Sequence, residues 1–106
     1  MLKLSDTLTG EKREFKPIGD EVRIYVCGVT PYSSAHVGHA MSYIVFDVLH
    51  RYLEFKKFRV RRVQNFTDID DKIIARANEQ NISAEQLSKF HIQEYMEDMA
   101  RLNIIP

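Results

Sequence analysis

Val22-Arg23-Ile24-Tyr25-Val26-Cys27-Gly28-Val29-Thr30-Pro31-Tyr32-Ser33-Ser34-Ala35-His36-Val37-Gly38-His39 is the stretch that decides the fold. Its first six residues are mostly β-branched or aromatic and stop at Gly28, the pattern of a strand entering a loop. Pro31 keeps Thr30 extended. From about Gly38 to Glu54, Met41, Ile44, Val45, Val48, Leu49, Tyr52 and Leu53 recur at steps of three and four. That spacing predicts a helix with these residues on its apolar face.

Downstream, Arg59 to Phe66 carries Val60, Val63 and Phe66 and reads as a second strand. Thr67 or Asp68 is the natural cap of a helix that places Ile69, Ile73 and Ala77 on one face and breaks near Asn81. Ser83-Ala84-Glu85-Gln86 has capping-box spacing and opens a third helix toward Leu102, with Ile92, Tyr95, Met96, Met99 and Leu102 on its apolar side. Upstream, Thr9-Gly10-Glu11 reads as a turn between the extended pieces Leu2-Lys3-Leu4 and Arg13-Glu14-Phe15.

Strand, helix, strand at this spacing implies parallel strands joined by a right-handed crossover. Two parallel strands do not finish a sheet, because parallel sheets need several strands and two covered faces. The expected architecture is therefore α/β, the N-terminal half of a doubly wound parallel sheet. Residues 1–106 form that portion and residues 1–20 an extended lead into it.

Composition narrows the class. Apolar residues make up 44% of the 106, enough for one small packed domain. Lys plus Arg and Asp plus Glu number 15 each, so net charge does not mark a nucleic-acid binder. The single cysteine, Cys27, forms no internal disulfide, which suits a reducing compartment. The first residues lack the apolar run of a signal peptide, and no stretch is long enough to span a bilayer. The expectation is a cytoplasmic protein with no membrane partner.

The chemistry concentrates where the first strand's carboxyl end feeds the helix start, the position at which open α/β sheets bind ligands. A helix start offers unpaired N–H groups and a positive dipole end, which favour phosphate. His36 and His39, three apart on one face of the first turn, both have donors for phosphate oxygens. Gly38 between them lets a flat base approach the backbone. A nucleoside triphosphate fits all three features.

His36-Val37-Gly38-His39 resembles the first signature of class I aminoacyl-tRNA synthetases. Its placement after Cys27-Gly28-Val29-Thr30-Pro31-Tyr32, together with Asn65-Phe66-Thr67-Asp68-Ile69-Asp70-Asp71-Lys72-Ile73-Ile74, resembles the cysteine-specific members, the cysteinyl-tRNA synthetases, from Leu2 to Pro106. That resemblance implies a Rossmann-like, HUP-type nucleotide-binding fold and ATP-dependent formation of cysteinyl-adenylate, followed by transfer to tRNA(Cys). It implies that His36, Gly38 and His39 hold ATP, taken with magnesium, the two histidines acting on the α-phosphoryl group. It places Cys27, Gly28, Thr30 and Thr67 at the substrate cysteine and makes Cys27 a zinc ligand. Zinc prefers a thiolate to a hydroxyl, which would separate cysteine from serine. The other zinc ligands have no counterpart here: His50 and His91 match no family ligand, and there is no second cysteine.

Other readings stand beside these. A free cysteine is most often a small buried hydrophobe. Paired histidines also serve as helix caps, and Asp70 and Asp71 read as caps and dipole partners rather than a magnesium site. The basic tract Lys56, Lys57, Arg59, Arg61 and Arg62 reads as a solvated helix end and strand edge before it reads as a tRNA contact. Val29-Thr30-Pro31-Tyr32 departs from the family's usual Pro-Thr-Val-Tyr toward the related cysteine ligase of mycothiol synthesis. The second class I signature, Lys-Met-Ser-Lys-Ser, does not occur in these residues. The chain therefore reads as part of a cysteine–tRNA ligase, with a minimal activating enzyme, or a non-catalytic module that binds ATP or a partner through an uncovered sheet edge, as the alternatives.

Overall fold

Val22 and Val26 are buried while Arg23 and Tyr25 between them face outward, so the strand that holds them has one covered face. In the computed structural model, which describes residues 2–106, this strand is the third of seven elements. A hairpin comes first: β1 (Lys3–Asp6) pairs antiparallel with β2 (Glu11–Glu14), and Gly10 takes the left-handed conformation its turn requires, φ 71°. Then come β3 (Glu21–Val26), α1 (Val37–Phe55), β4 (Arg59–Gln64), α2 (Asp71–Glu79) and α3 (Ala84–Arg101). β3 and β4 run parallel in register from Glu21↔Arg59 to Val26↔Gln64, with α1 as the crossover. The expected strand–helix–strand unit is thus present, as a parallel sheet of two strands among the described residues.

All three helices end on a left-handed residue that is not glycine: Lys57 (φ 72°), Asn81 (φ 55°) and Asn103 (φ 59°). Behind each, a backbone N–H reaches back into the helix: Phe58 to Leu53, Ile82 to Ala77 and Ile104 to Met99. Asparagine tolerates this region, which accounts for two of the three stops. The Ser83/Gln86 capping box that starts α3 is formed reciprocally, as its spacing predicts.

Two buried clusters hold the elements together. Val26, Val29, Tyr43, Tyr95 and Met99 join β3, the loop after it, α1 and α3. Tyr95 receives Tyr43 and Phe66 edge-on at 5.7 and 5.3 Å and accepts a hydrogen bond from Gln64 at 2.6 Å. Ile73, Ala77 and Leu87 lock α2 against α3.

Three expectations are corrected. The covered face of α1 is Tyr43, Asp47, His50 and Leu53, whereas Met41, Val45 and Val48 are 70%, 57% and 60% exposed. A sheet of two strands covers one side of a helix, and α1 has more apolar positions than one side holds. The helix after β4 is capped by Asp70, not Thr67 or Asp68: its carboxylate accepts from the Ile73 N–H at 2.9 Å. Thr67 and Asp68 are held in extended chain, because the Thr67 N–H donates to the Val29 carbonyl and the Ser88 hydroxyl donates to the Asp68 carbonyl. Ile69 therefore falls before α2 and is 77% exposed, off the face that carries Ile73 and Ala77. Finally, β4 stops at Gln64, two residues before Phe66.

The basic tract divides. Arg61 pairs with Glu21 at 3.5 Å on the surface, but the Arg62 side chain, 9% exposed, lies beside Asp47 at 3.7 Å and donates to the Ile105 carbonyl. Asp47 also accepts from Arg51 Nε at 2.7 Å and from the Ile105 N–H at 2.8 Å. Burial pushes the Asp47 carboxyl up, but the Ile105 N–H, Arg51 and Arg62 outweigh it and hold it below its ordinary range. This cluster ties α1, β4 and the segment after α3 to one another.

Asp47→Ala would leave Arg62 buried without its partner. The expected loss is about 3–5 kcal/mol of unfolding free energy, measured by urea denaturation. A loss under about 1 kcal/mol would show that the cluster does not hold these elements.

Candidate nucleotide-binding site

The loop after β3 is fixed to the end of β4 at two points. The Gly28 N–H donates to Asn65 Oδ1 at 2.7 Å, and the Thr67 N–H donates to the Val29 carbonyl at 3.1 Å. A Cβ on Gly28 would lie 1.4 Å from the Asn65 carbonyl oxygen, so only glycine permits this approach. Pro31 is fully buried beneath the loop, and the Tyr43 hydroxyl donates to the Cys27 carbonyl at 3.2 Å. Burial, with Tyr95 and Cys27 nearby, pushes the Tyr43 phenol up to about 12, so it stays a donor.

Above these ties lies a crevice of about 230 Å³ lined by Gly28, Thr30, Tyr32, His36, His39 and Lys72, among others. It sits at the carboxyl end of β3 and the amino end of α1, where open α/β sheets take ligands. Lys72 is the one Lys or Arg in its lining, and its Nζ stands 5.7 Å from the centre of the Tyr32 ring.

His36 and His39 meet at the helix start, but not as two residues of its first turn. His36 is the cap, in extended conformation, and His39 the third helical residue. The His39 N–H donates to Nδ1 of His36 at 3.3 Å, and the His36 N–H donates to Nδ1 of His39 at 3.2 Å. This is a capping box made of two imidazoles. Their rings stack with centroids 3.8 Å apart and planes 12° from parallel. Burial, and then the neighbouring His36, hold the His39 imidazole below its ordinary value.

Of the residues the sequence singles out, Gly28, Thr30, His36 and His39 converge on the crevice. Cys27 and Thr67 lie at the two strand ends beside it, and Gly38 lines a separate depression with Met41, Ser42 and Val45. Cys27 is exposed, and among the described residues no three His, Cys, Asp or Glu side chains gather to hold a metal ion. One thiolate where zinc takes three or four donors does not fit the metal by itself. Asn65, Tyr32, Tyr43 and Lys72 belong to the site and were not predicted. Tyr32, Asn65 and Lys72 stand inside the two stretches that carry the family resemblance, and that was their signal.

Residues 14–106 match the family of tRNA synthetase class I (C) catalytic domains. The chain belongs to this family. It is 54% identical over 106 residues to the cysteine–tRNA ligase of Dehalococcoides mccartyi strain BAV1, covering 99% of this chain and 23% of that protein. To the cysteine–tRNA ligase of Thermococcus kodakarensis it is 51% identical over 106 residues, covering 99% and 22%. It thus spans about a quarter of the length of the class I relatives it matches. Among solved structures it superposes on Mycobacterium tuberculosis methionyl-tRNA synthetase in complex with methionyl-adenylate with a TM-score of 0.72 and 24% identity, over 78% of this chain and 17% of that one. That likeness establishes the Rossmann-like fold of the synthetases, present here in part. Among the described residues no helix is long and apolar enough to cross a membrane.

A histidine held below its ordinary value of 6.5 binds protons less readily in the folded chain than in the unfolded one. Its contribution to stability is present above 6.5 and is lost as pH falls through the folded value. Asp47, ordinarily near 3.8 and lowered by folding, loses its contribution only in more acid solution. The thermal midpoint should therefore fall between pH 7 and 5 by a step that His36→Ala/His39→Ala makes shallower, while the further loss in more acid solution persists. An unchanged slope in the double variant would show that His39 carries no such linkage.

Proposed function

We propose that this chain supplies the phosphate-facing part of a cysteine–tRNA ligase active site, which activates L-cysteine with ATP to cysteinyl-adenylate and passes it to tRNA(Cys). The observation that carries the reading is the stacked pair His36 and His39 above the loop ends of β3 and β4, in a chain whose relatives are named cysteine–tRNA ligase. A solved neighbour of the same fold is described in complex with methionyl-adenylate, which supports the reading.

In this reading the cysteine carboxylate attacks the α-phosphorus of ATP and pyrophosphate leaves. His36 and His39 place hydrogen-bond donors at the oxygens that gain charge in the transition state. Fixing donors in advance avoids reorganisation during the reaction, and the reciprocal cap provides that fixity. Lys72 adds the crevice's permanent positive charge. Thr30 and Thr67 border the amino-acid side, and the Gly28–Asn65 tie keeps the floor rigid. ATP enters with magnesium as its counter-ion; Asp70 is spent on capping α2. Cys27 would be one donor to a zinc site whose remaining ligands lie outside these residues. Zinc, where bound, would supply a soft Lewis acid for the substrate thiol. The cytoplasm is the setting proposed with this reading. The loop sequence Val29-Thr30-Pro31-Tyr32 keeps the mycothiol-type acceptor as the second reading, with the same adenylate step.

The test places these 106 residues in the matching stretch of the Dehalococcoides enzyme, to which they are 54% identical. The chimera should support cysteine-dependent ATP–pyrophosphate exchange and charge tRNA(Cys). His36→Ala/His39→Ala should lower exchange at least about a hundredfold with native circular dichroism. Exchange at the parental rate in the double variant would sink the phosphate assignment. Exchange without tRNA charging would favour the other acceptor.

A further inference from the structure

Resting on the reading of the crevice as an ATP site, we infer that His36 and His39 face the phosphate as neutral imidazoles, both with the proton on Nε2, and that Gly38 is the positioning residue that makes this pair possible.

The argument starts from the reciprocal cap. Nδ1 of each ring accepts a backbone N–H from the other residue, at 3.3 and 3.2 Å. A nitrogen that accepts carries no proton, so a neutral ring with that bond must hold its proton on Nε2. Protonating Nδ1 would set one N–H against another and break the cap. The tautomer is thus fixed by the fold before any ligand arrives.

The surroundings point the same way. The rings lie 3.8 Å apart, a spacing that disfavours charge on both. Among the described residues, no carboxylate lines the crevice to hold an imidazolium; its other titratable or charged lining groups are Tyr32, Tyr43 and Lys72, and the last repels a second cation. The cap also changes which groups are free to bind. The N–H groups of His36 and His39 are already engaged, so the helix start offers the two Nε2–H groups in place of those backbone donors.

Gly38 enters through space rather than through a ligand. A Cβ at Gly38 would lie 2.9 Å from Cε1 and 3.0 Å from Nδ1 of His36. Both distances are tighter than ordinary contact, and the atoms they press on are those that stack on and bond to His39. A methyl group there drives the His36 ring off its partner. The glycine of the signature is therefore needed for the pair itself. This requirement is separate from making room for a base, because it comes from the His36 ring itself.

The test is long-range ¹H–¹⁵N correlation spectroscopy of the imidazoles in the 106-residue chain at pH 7.5, with no ligand present. Both His36 and His39 should show an unprotonated Nδ1 and a protonated Nε2. In Gly38→Ala both rings should average between tautomers while circular dichroism keeps its helix signal. His36→Ala, which removes one partner without crowding the backbone, should release His39 in the same way should Gly38→Ala fail to fold. A proton on Nδ1 of either ring, or on both nitrogens, overturns the inference, and so do fixed tautomers in both variants. Adding ATP separates this from the functional reading. Nε2–H resonances that do not move, with the tautomers as stated, would overturn the phosphate role and leave the tautomer assignment standing.

Discussion

Everything at the site depends on how closely the backbone at Gly28 approaches the end of β4. The Gly28 N–H reaches Asn65 Oδ1 at 2.7 Å, and the space a Cβ would need is filled by the Asn65 carbonyl. Two parallel strands have neighbouring carboxyl ends, but nothing in strand pairing brings the loops that follow them together. This contact does, and the bond from Thr67 to Val29 repeats it one step further along. With both in place the loop carries Thr30 and Tyr32 across the sheet end, and α1 starts at a defined angle with its histidine cap above the crevice.

The same economy appears in the buried charge cluster. Asp47 faces the sheet from α1, where an apolar residue would ordinarily pack. It is tolerable because Arg51, Arg62 and the Ile105 N–H all converge on it. An apolar side chain would fill the volume but would not fix the path of the chain after α3. A carboxylate that must satisfy three donors allows one path, which specifies where Ile104 packs against the Tyr95 cluster.

Much of this was legible in the residues. The β-branched run to Gly28, the Ser83/Gln86 box and the 3–4 spacing of α1 each gave the right element, because local chemistry alone determines them. The place of the crevice followed from topology, and the meeting of His36 and His39 at the helix start from their spacing. Three things were hidden because they depend on what lies across from a residue. Which side of α1 is covered depends on the width of the sheet, so the apolar spacing pointed to Met41, Val45 and Val48 while Asp47 and His50 went inside. The start of α2 depends on Thr67 and Asp68 being drawn into extended chain by Val29 and Ser88. The role of Arg62 depends on a carboxylate fifteen residues earlier on another element, which a run of basic residues does not announce.

The uncovered stripe on α1 has a colloidal consequence. A soluble chain is usually kept dispersed by mutual repulsion between like-charged copies, but the 15 basic and 15 acidic residues here cancel. Two copies approaching in dilute buffer meet little net-charge barrier, and the band of Met41, Val45 and Val48 is one exposed apolar surface that contact would cover. With net charge near zero, short-range attraction between such surfaces meets little opposition. Added salt, which calms charge-driven clustering in many proteins, has little charge here to screen and strengthens the apolar contact instead.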